Sequence, residues 1–264
     1  MTRATGLGAA LSIEGLARRG LARQRGAAGC AFLVDVDGQA GGPPRTTVLA
    51  DRREAGRQLA ERLAPYRDRN PVVLAIPRGG VVVGYEIARA LGAPLDVMVA
   101  RKIGAPDQPE FGIGAIAPGG VEILDADSVR LAGVTRADLD RVSARERTEL
   151  DRRLRRYRGD RPLPDLHGKT AIVVDDGIAT GVTMRASLAA IRALAPERIV
   201  LAVGVAPPET LEALRDQVDD LVCLLTPSSF YAVGLHFGLF PQVSDDEVVE
   251  LLRLANVAAP AHAG

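Results

Sequence analysis

Tryptophan is absent from this 264-residue chain and aromatic residues make up only 3% of it, too few to suggest a stacking platform for single-stranded nucleic acid. Net charge is absent too. The 33 basic residues balance 33 acidic ones, so no global positive field draws in nucleic acid or an anionic membrane. Two cysteines, Cys30 and Cys223, supply neither a disulfide framework nor a metal-ligand spacing, which fits a reducing cytoplasm. Lysine is nearly missing, with Lys102 and Lys169 alone against an arginine-rich background. The uncharged stretch Leu221–Ser244 is long enough to span a bilayer. However, Pro227, Ser228, Ser229, His236, Pro241 and Gln242 interrupt it, and it reads as buried core followed by a loop, with no membrane partner implied.

What is present, 47% hydrophobic and 25% charged residues, suffices for one substantial core. Residues 1–47 lack sustained periodicity and end in the Gly/Pro-rich break Gly38–Pro44. They are expected to be a disordered extension outside the fold, with residues 48–256 the folded domain and 257–264 a flexible tail. Arg52 to Leu63 has apolar residues at helical spacing. Val72–Ile76, Val81–Leu91 closed by Gly92, and Leu95–Ala100 read as strand, helix and strand. Ile113–Ala117 and Val121–Leu124 flank Pro118-Gly119-Gly120 as a hairpin. Thr135 and Asp138 are spaced as a capping box at the start of a long helix to Arg158, whose arginines alternate with Glu146, Glu149 and Asp151 as a solvated face does. Strands Ile199–Val205 and Leu221–Leu225 then alternate with helices Glu209–Gln217 and Asp245–Leu254, the last capped by Ser244. This order predicts an α/β fold of three layers, α/β/α, around a mostly parallel sheet.

The chemistry is concentrated in Ala171-Ile172-Val173-Val174-Asp175-Asp176-Gly177-Ile178-Ala179-Thr180-Gly181-Val182-Thr183. Four apolar residues suit a buried parallel strand, and a helix from Thr183 aims its N-terminus at the intervening loop, where free amides favour an anion. The lysine of a GxxxxGK[ST] loop and the spacing of GxGxxG are both missing. Two glycines permit close backbone approach, and the hydroxyls of Thr180 and Thr183 can donate to one phosphate. The adjacent acids Asp175 and Asp176 would be costly beside that phosphate unless they accept from sugar hydroxyls or face a cation, demands that a phosphorylated ribose with Mg²⁺ meets. An incidental acidic turn in a Rossmann-like unit is the competing explanation.

The whole run resembles the 5-phosphoribosyl-1-pyrophosphate (PRPP) signature of the type I phosphoribosyltransferases. The resemblance implies their fold, with a flexible hairpin lid over Gly104–Leu124 and a small C-terminal hood. It implies that Asp175 and Asp176 hold the ribose hydroxyls and act on Mg²⁺ indirectly, through PRPP, while Gly177, Ile178, Ala179, Thr180, Gly181, Val182 and Thr183 bind the 5′-phosphate. Pro77-Arg78-Gly79-Gly80 follows the first strand; Arg78 can pair with phosphate bidentately and the glycine amides can point at one ligand. By resemblance this is the pyrophosphate loop, with Arg78 catalytic, a cis peptide expected at Arg78–Gly79, and Arg101 and Lys102 approaching the same group. A plain tight turn and surface charge compete with these two readings. Phe230 and Tyr231 fall where relatives meet the acceptor, though core packing explains them as well. Ala179 stands where relatives using 6-oxopurines carry an aspartate, so any general base is supplied elsewhere or is not required. The expected activity is Mg²⁺-dependent phosphoribosyl transfer from PRPP to a small-molecule acceptor, without nucleic-acid partners and compatible with a homodimer. The alternative is a PRPP-sensing regulatory protein.

Overall fold

A computed structural model describes residues 21–25, 31–35 and 48–258. The central sheet has seven strands in the order β1-β2-β10-β9-β8-β3-β4. These are β1 (Leu21–Arg25), β2 (Ala31–Asp35), β3 (Pro71–Ala75), β4 (Leu95–Val97), β8 (Thr170–Gly177), β9 (Arg198–Val205) and β10 (Asp220–Leu225). All pairings are parallel except β1 with β2. Residues buried on both faces explain why β3, β8, β9 and β10 read as unbroken apolar runs. Ile172, Val174, Val200, Ala202 and Val222 face one core, shared with helices α1 (Arg52–Leu63), α2 (Gly79–Leu91) and α7 (Asp245–Ala258). Ala171, Val173, Leu201, Val203 and Leu221 face the other, shared with α5 (Val182–Ala193) and α6 (Pro208–Leu214). Full burial of each Val, Ile or Leu contributes about 1.5–3 kcal/mol, which holds the strand ends in register beneath the site.

The strand order fixes where a ligand can sit. From β3 the chain crosses to β4 on one side, and from β8 it crosses to β9 on the other. The loops after β3 and β8 therefore part at the carboxyl edge, leaving the crevice where open α/β sheets bind ligands.

A second, antiparallel sheet of β5 (Arg101–Ala105), β6 (Gln108–Ala117) and β7 (Val121–Leu124) stands apart. It leads through α3 (Ala126–Leu131) into the 23-residue α4 (Arg136–Arg158). Thr135 caps α4 by accepting from Asp138 N at 3.2 Å. The expected strand Leu95–Ala100 ends at Val97, and Arg101-Lys102 opens β5 instead of following a strand of the main sheet.

Two strands fall within the stretch read from sequence as an extension. β2 pairs in parallel with β10 from Ala31↔Asp220 to Val34↔Cys223, so part of residues 1–47 lies on the sheet rather than outside it. The physical reason is the open edge of β10, whose backbone groups can pair with a run such as Ala31–Val34. The expectations for Cys30 and for residues 259–264 lie outside the described residues.

Candidate active site at the carboxyl edge of the sheet

Asp175, Asp176 and Gly177 end β8, and a short loop from Ile178 leads into α5. The loop is held from below: Ile178 N donates to Val205 O at 2.9 Å, and Thr210 Oγ1 donates to Ala179 O at 2.5 Å. Gly177 must be glycine for space, because a Cβ there would lie 2.4 Å from Val233 Cγ1. Gly181 precedes α5 at φ 73, a conformation that favours glycine. Ala179 and Thr180 are exposed and Thr183 half-buried, so both hydroxyls border solvent at the helix start.

Helix capping separates this edge from the rest of the molecule. α1, α3, α4 and α7 each take a side-chain cap, from Asp51, Asp125, Thr135 and Ser244. α2 and α5 take none, and neither does the short α6, which begins at Pro207-Pro208. An uncapped helix leaves first-turn amides without partners, and these attract anions. The two long uncapped helices are those that follow β3 and β8.

The α2 start is in contact with the acidic end of β8. A Cβ on Gly79 would fall 1.9 Å from Asp176 Oδ2, and one on Gly80 would fall 2.8 Å from Val174 O and 3.2 Å from Asp175 Oδ1. Glycine at both positions lets the α2 start close directly onto the acidic pair. A cis peptide is present at this turn, at Pro77–Arg78 and not at the expected Arg78–Gly79.

The two acids have different environments. Asp176 is buried, and its Oδ2 accepts from Arg52 Nε at 2.6 Å. Asp175 Oδ1 accepts from Asp176 N at 2.8 Å. Burial, reinforced by the neighbouring Asp176 charge, pushes the Asp175 carboxyl well above the usual carboxylate range. A cation nearby would relieve that pressure. Among the described residues no group of three or more His, Cys, Asp or Glu gathers to hold a metal by itself. The pair thus fits a Mg²⁺ that keeps most of its ligands from substrate and water.

The phosphoribosyl transferase domain profile matches residues 47–237. The chain belongs to the phosphoribosyltransferase family. Its fold is that of the type I phosphoribosyltransferases, and the family is one of transferases. The chain is 46% identical over 206 residues to two Mycobacterium tuberculosis proteins, from strains H37Rv and CDC 1551, each named a putative phosphoribosyl transferase. The match covers 78% of this chain and 46% of theirs, so the chain spans about half the length of these relatives. Its fold is also similar to that of TT1426 from Thermus thermophilus, with a TM-score of 0.67 and 44% identity over 78% of this chain and 97% of that one.

The remaining expected site residues occupy varied positions. Arg78, at the α2 start, is exposed and pairs with Asp245 Oδ1 at 3.7 Å. Tyr157 Oη donates to the same oxygen at 2.6 Å, and burial, reinforced by this hydrogen bond, pushes the phenol up to about 12. Arg101 places both Nε (3.0 Å) and Nη2 (2.6 Å) on Glu146 Oε2, and Lys102 Nζ reaches Glu110 O at 3.0 Å and Oε2 at 3.3 Å. Both stand on the antiparallel sheet with carboxylate partners. Phe230 stacks on buried His236 with centroids 5.5 Å apart, while Tyr231 is 87% exposed. Sequence reasoning missed Arg52, whose only local signal was its place just after the cap Asp51, and Asp245, which read as part of a helix start.

Proposed function

We propose that this chain transfers the 5-phosphoribosyl group of PRPP to a nitrogen nucleophile, a nucleobase or similar small molecule, with release of pyrophosphate. The observation that carries the reading is the contact of Gly79 with Asp176. It sets the uncapped α2 start against an acidic pair suited to a ribose, and that pair leads through residues 178–181 into the uncapped α5 start, so two helix starts suited to phosphate groups adjoin it.

In this reading Asp175 and Asp176 accept from the ribose hydroxyls and stand beneath the positive charge that develops on the sugar as the anomeric bond breaks. The loop from Ile178 to Thr183 binds the 5′-phosphate and acts by orientation, fixing the sugar in reactive geometry. The Gly79 and Gly80 amides, with Arg78 released from its long contact to Asp245, meet the leaving pyrophosphate. Mg²⁺, when bound, neutralises pyrophosphate oxygens, with Asp175 and Asp176 interacting with it through PRPP. Lys102 and Arg101 reach the same group only if the antiparallel sheet gives up their carboxylate partners. Phe230 and Tyr231 would flank the acceptor. Ala179 offers no carboxylate, which argues against 6-oxopurines that need help to lose a proton. The buried Cys223 thiol, pushed up to about 12 by burial, is unreactive and suits a cytoplasmic setting.

A phosphorus NMR time course of PRPP and Mg²⁺ with the protein tests this, with and without pooled purine and pyrimidine bases. Pyrophosphate accumulating only with the pool present is the expected result. Intact PRPP with shifted resonances would favour the sensor alternative, and unaltered spectra would remove PRPP as the ligand.

A further inference from the structure

One arginine outside every motif read from sequence touches three parts of the site. Arg52 begins α1, where the Asp51 cap fixes the backbone by accepting from Glu54 N at 2.8 Å. Just upstream the chain is joined to the segment following β10. Leu49 N donates to His236 O at 3.0 Å, and Gly238 N and Leu239 N donate to Leu49 O and Ala50 O, each at 2.8 Å. Arg52 then reaches inward, buried. Its Nε donates to Asp176 Oδ2 at 2.6 Å and its Nη1 to Pro241 O at 2.7 Å, and its guanidinium carbon lies 3.7 Å from the centre of the Phe240 ring. A Cβ on Gly79 would lie 2.8 Å from Nε, so the same group also borders the α2 start.

Stability alone does not account for this arrangement. Desolvating an arginine and an aspartate offsets most of their attraction, and apolar side chains of the same volume hold a core at least as well. What a guanidinium adds is direction, because its donors lie in one rigid plane. With Oδ2 held, the carboxylate plane of Asp176 is fixed and Oδ1 is the freer oxygen for a ligand. The guanidinium is also held by the Phe240 ring and Pro241 O, in the segment whose His236 stacks on the candidate acceptor residue Phe230.

We propose that Arg52 is a positioning residue that aims the Asp176 carboxylate at the ribose and ties that aim to the segment 236–241, so that donor binding orders the acceptor side. The inference rests on the phosphoribosyl reading above. When PRPP engages Asp176, Arg52 loses the freedom to shift, and Phe240 and Pro241 lose it with Arg52.

Calorimetric titration with Mg²⁺ and PRPP of the full chain, Arg52→Gln, Arg52→Lys, Asp176→Asn and the Arg52→Gln/Asp176→Asn double variant tests the aim. Arg52→Gln should weaken PRPP about tenfold, the scale of one charge-assisted hydrogen bond. Arg52→Lys should recover part of that loss, and Arg52→Gln should add little once Asp176 is Asn. Wild-type affinity in Arg52→Gln, or losses that simply multiply in the double variant, would overturn the proposal. Hydrogen exchange tests the tie. PRPP should slow exchange of the Gly238 and Leu239 amides in the wild type and not in Arg52→Gln, and equal protection in both would overturn it. Should Arg52→Gln fail to fold, Phe240→Leu spares the ion pair. It should bind PRPP about as the wild type does yet lose the ligand-induced protection, and retained protection would count against the tie. A wild type that binds no PRPP defeats the phosphoribosyl reading and this inference with it, whereas a binding wild type with an indifferent Arg52→Gln defeats this inference alone.

Discussion

The carboxyl edge of the parallel sheet and the antiparallel sheet beside it both hold residues assigned to PRPP, but they hold them differently. At the edge, Asp175, Asp176, Gly79 and Gly80 are locked by contacts that leave no room for one added carbon. On the antiparallel sheet, Lys102 pairs with a Glu110 side chain that is fully exposed. An exposed pair is worth roughly 0–1 kcal/mol, so a phosphate can displace Glu110 at little cost. Arg101 is intermediate, with two donors on the largely buried Glu146. One region is therefore formed before the ligand arrives, and the other must exchange partners to take part.

Substitutions can break or sharpen this contrast. The largest effect is expected at Asp176→Asn, where turnover should fall about 10²–10³-fold, the range for losing one electrostatic stabiliser. Thermal unfolding should remain cooperative. Steady-state pyrophosphate release checks this, and unchanged turnover would remove Asp176 from the ribose role.

Gly79→Ala comes next. Its methyl would meet Asp176 Oδ2, and overpacking of this kind costs about 1–3 kcal/mol. PRPP binding should be lost along with that stability. Gly119→Ala on the hairpin is the matched comparison. Its φ of 77 strains an alanine, but no atom lies within 4 Å, so stability should drop by roughly 1–2 kcal/mol while PRPP affinity stays the same. Denaturant melts and calorimetry on the pair separate the two regions directly.

Lys102→Gln and Arg101→Gln should then diverge. Lys102→Gln is expected to raise the KM for PRPP about five- to tenfold at unchanged stability, as losing one charged phosphate contact does. Arg101→Gln leaves the largely buried Glu146 with only its long contact to Arg145, 3.8 Å, and should cost about 1–3 kcal/mol of stability. If both variants change only stability, the antiparallel sheet takes no part in binding.

The smallest effect concerns pH. Burial lowers the His236 pKa from 6.5, so below 6.5 the unfolded chain takes up a proton that the folded chain resists. Stability should fall as pH drops from 6.5 to the lowered folded value and then level off. His236→Phe, which keeps an aromatic ring against Phe230, should flatten that part of the melting-temperature profile. An unchanged slope would assign it to other groups.

Much of this was legible in the sequence for a physical reason. Local constraints on β8, α4 and α7 agree with their tertiary surroundings: buried β-branched runs, the Thr135 and Ser244 caps, and a loop whose glycines are needed for space. The α2 start was legible as well, because glycine pairs at a strand end leave few alternatives. What escaped notice depends on distant residues. Arg52 and Asp176 are 124 positions apart, and nothing local marks either as the other's partner. Strand β5 was missed because Arg101-Lys102-Ile103-Gly104 has neither apolar alternation nor a long apolar run, and its pairing with β6 is irregular at Ile103 and Gly104. Strand β2 was passed over because a single short apolar run between glycine-rich segments carries no periodicity of its own.

The account's central claim is that one PRPP molecule bridges the two uncapped helix starts at the carboxyl edge. A crystal structure of the protein soaked with Mg²⁺ and PRPP tests it most directly. The account predicts the 5′-phosphate on the amides that open α5, the pyrophosphate on Gly79 and Gly80, and the ribose hydroxyls on Asp175 and Asp176. Ligand density against the antiparallel sheet and α4, with the α2 and α5 starts left to solvent, would contradict it.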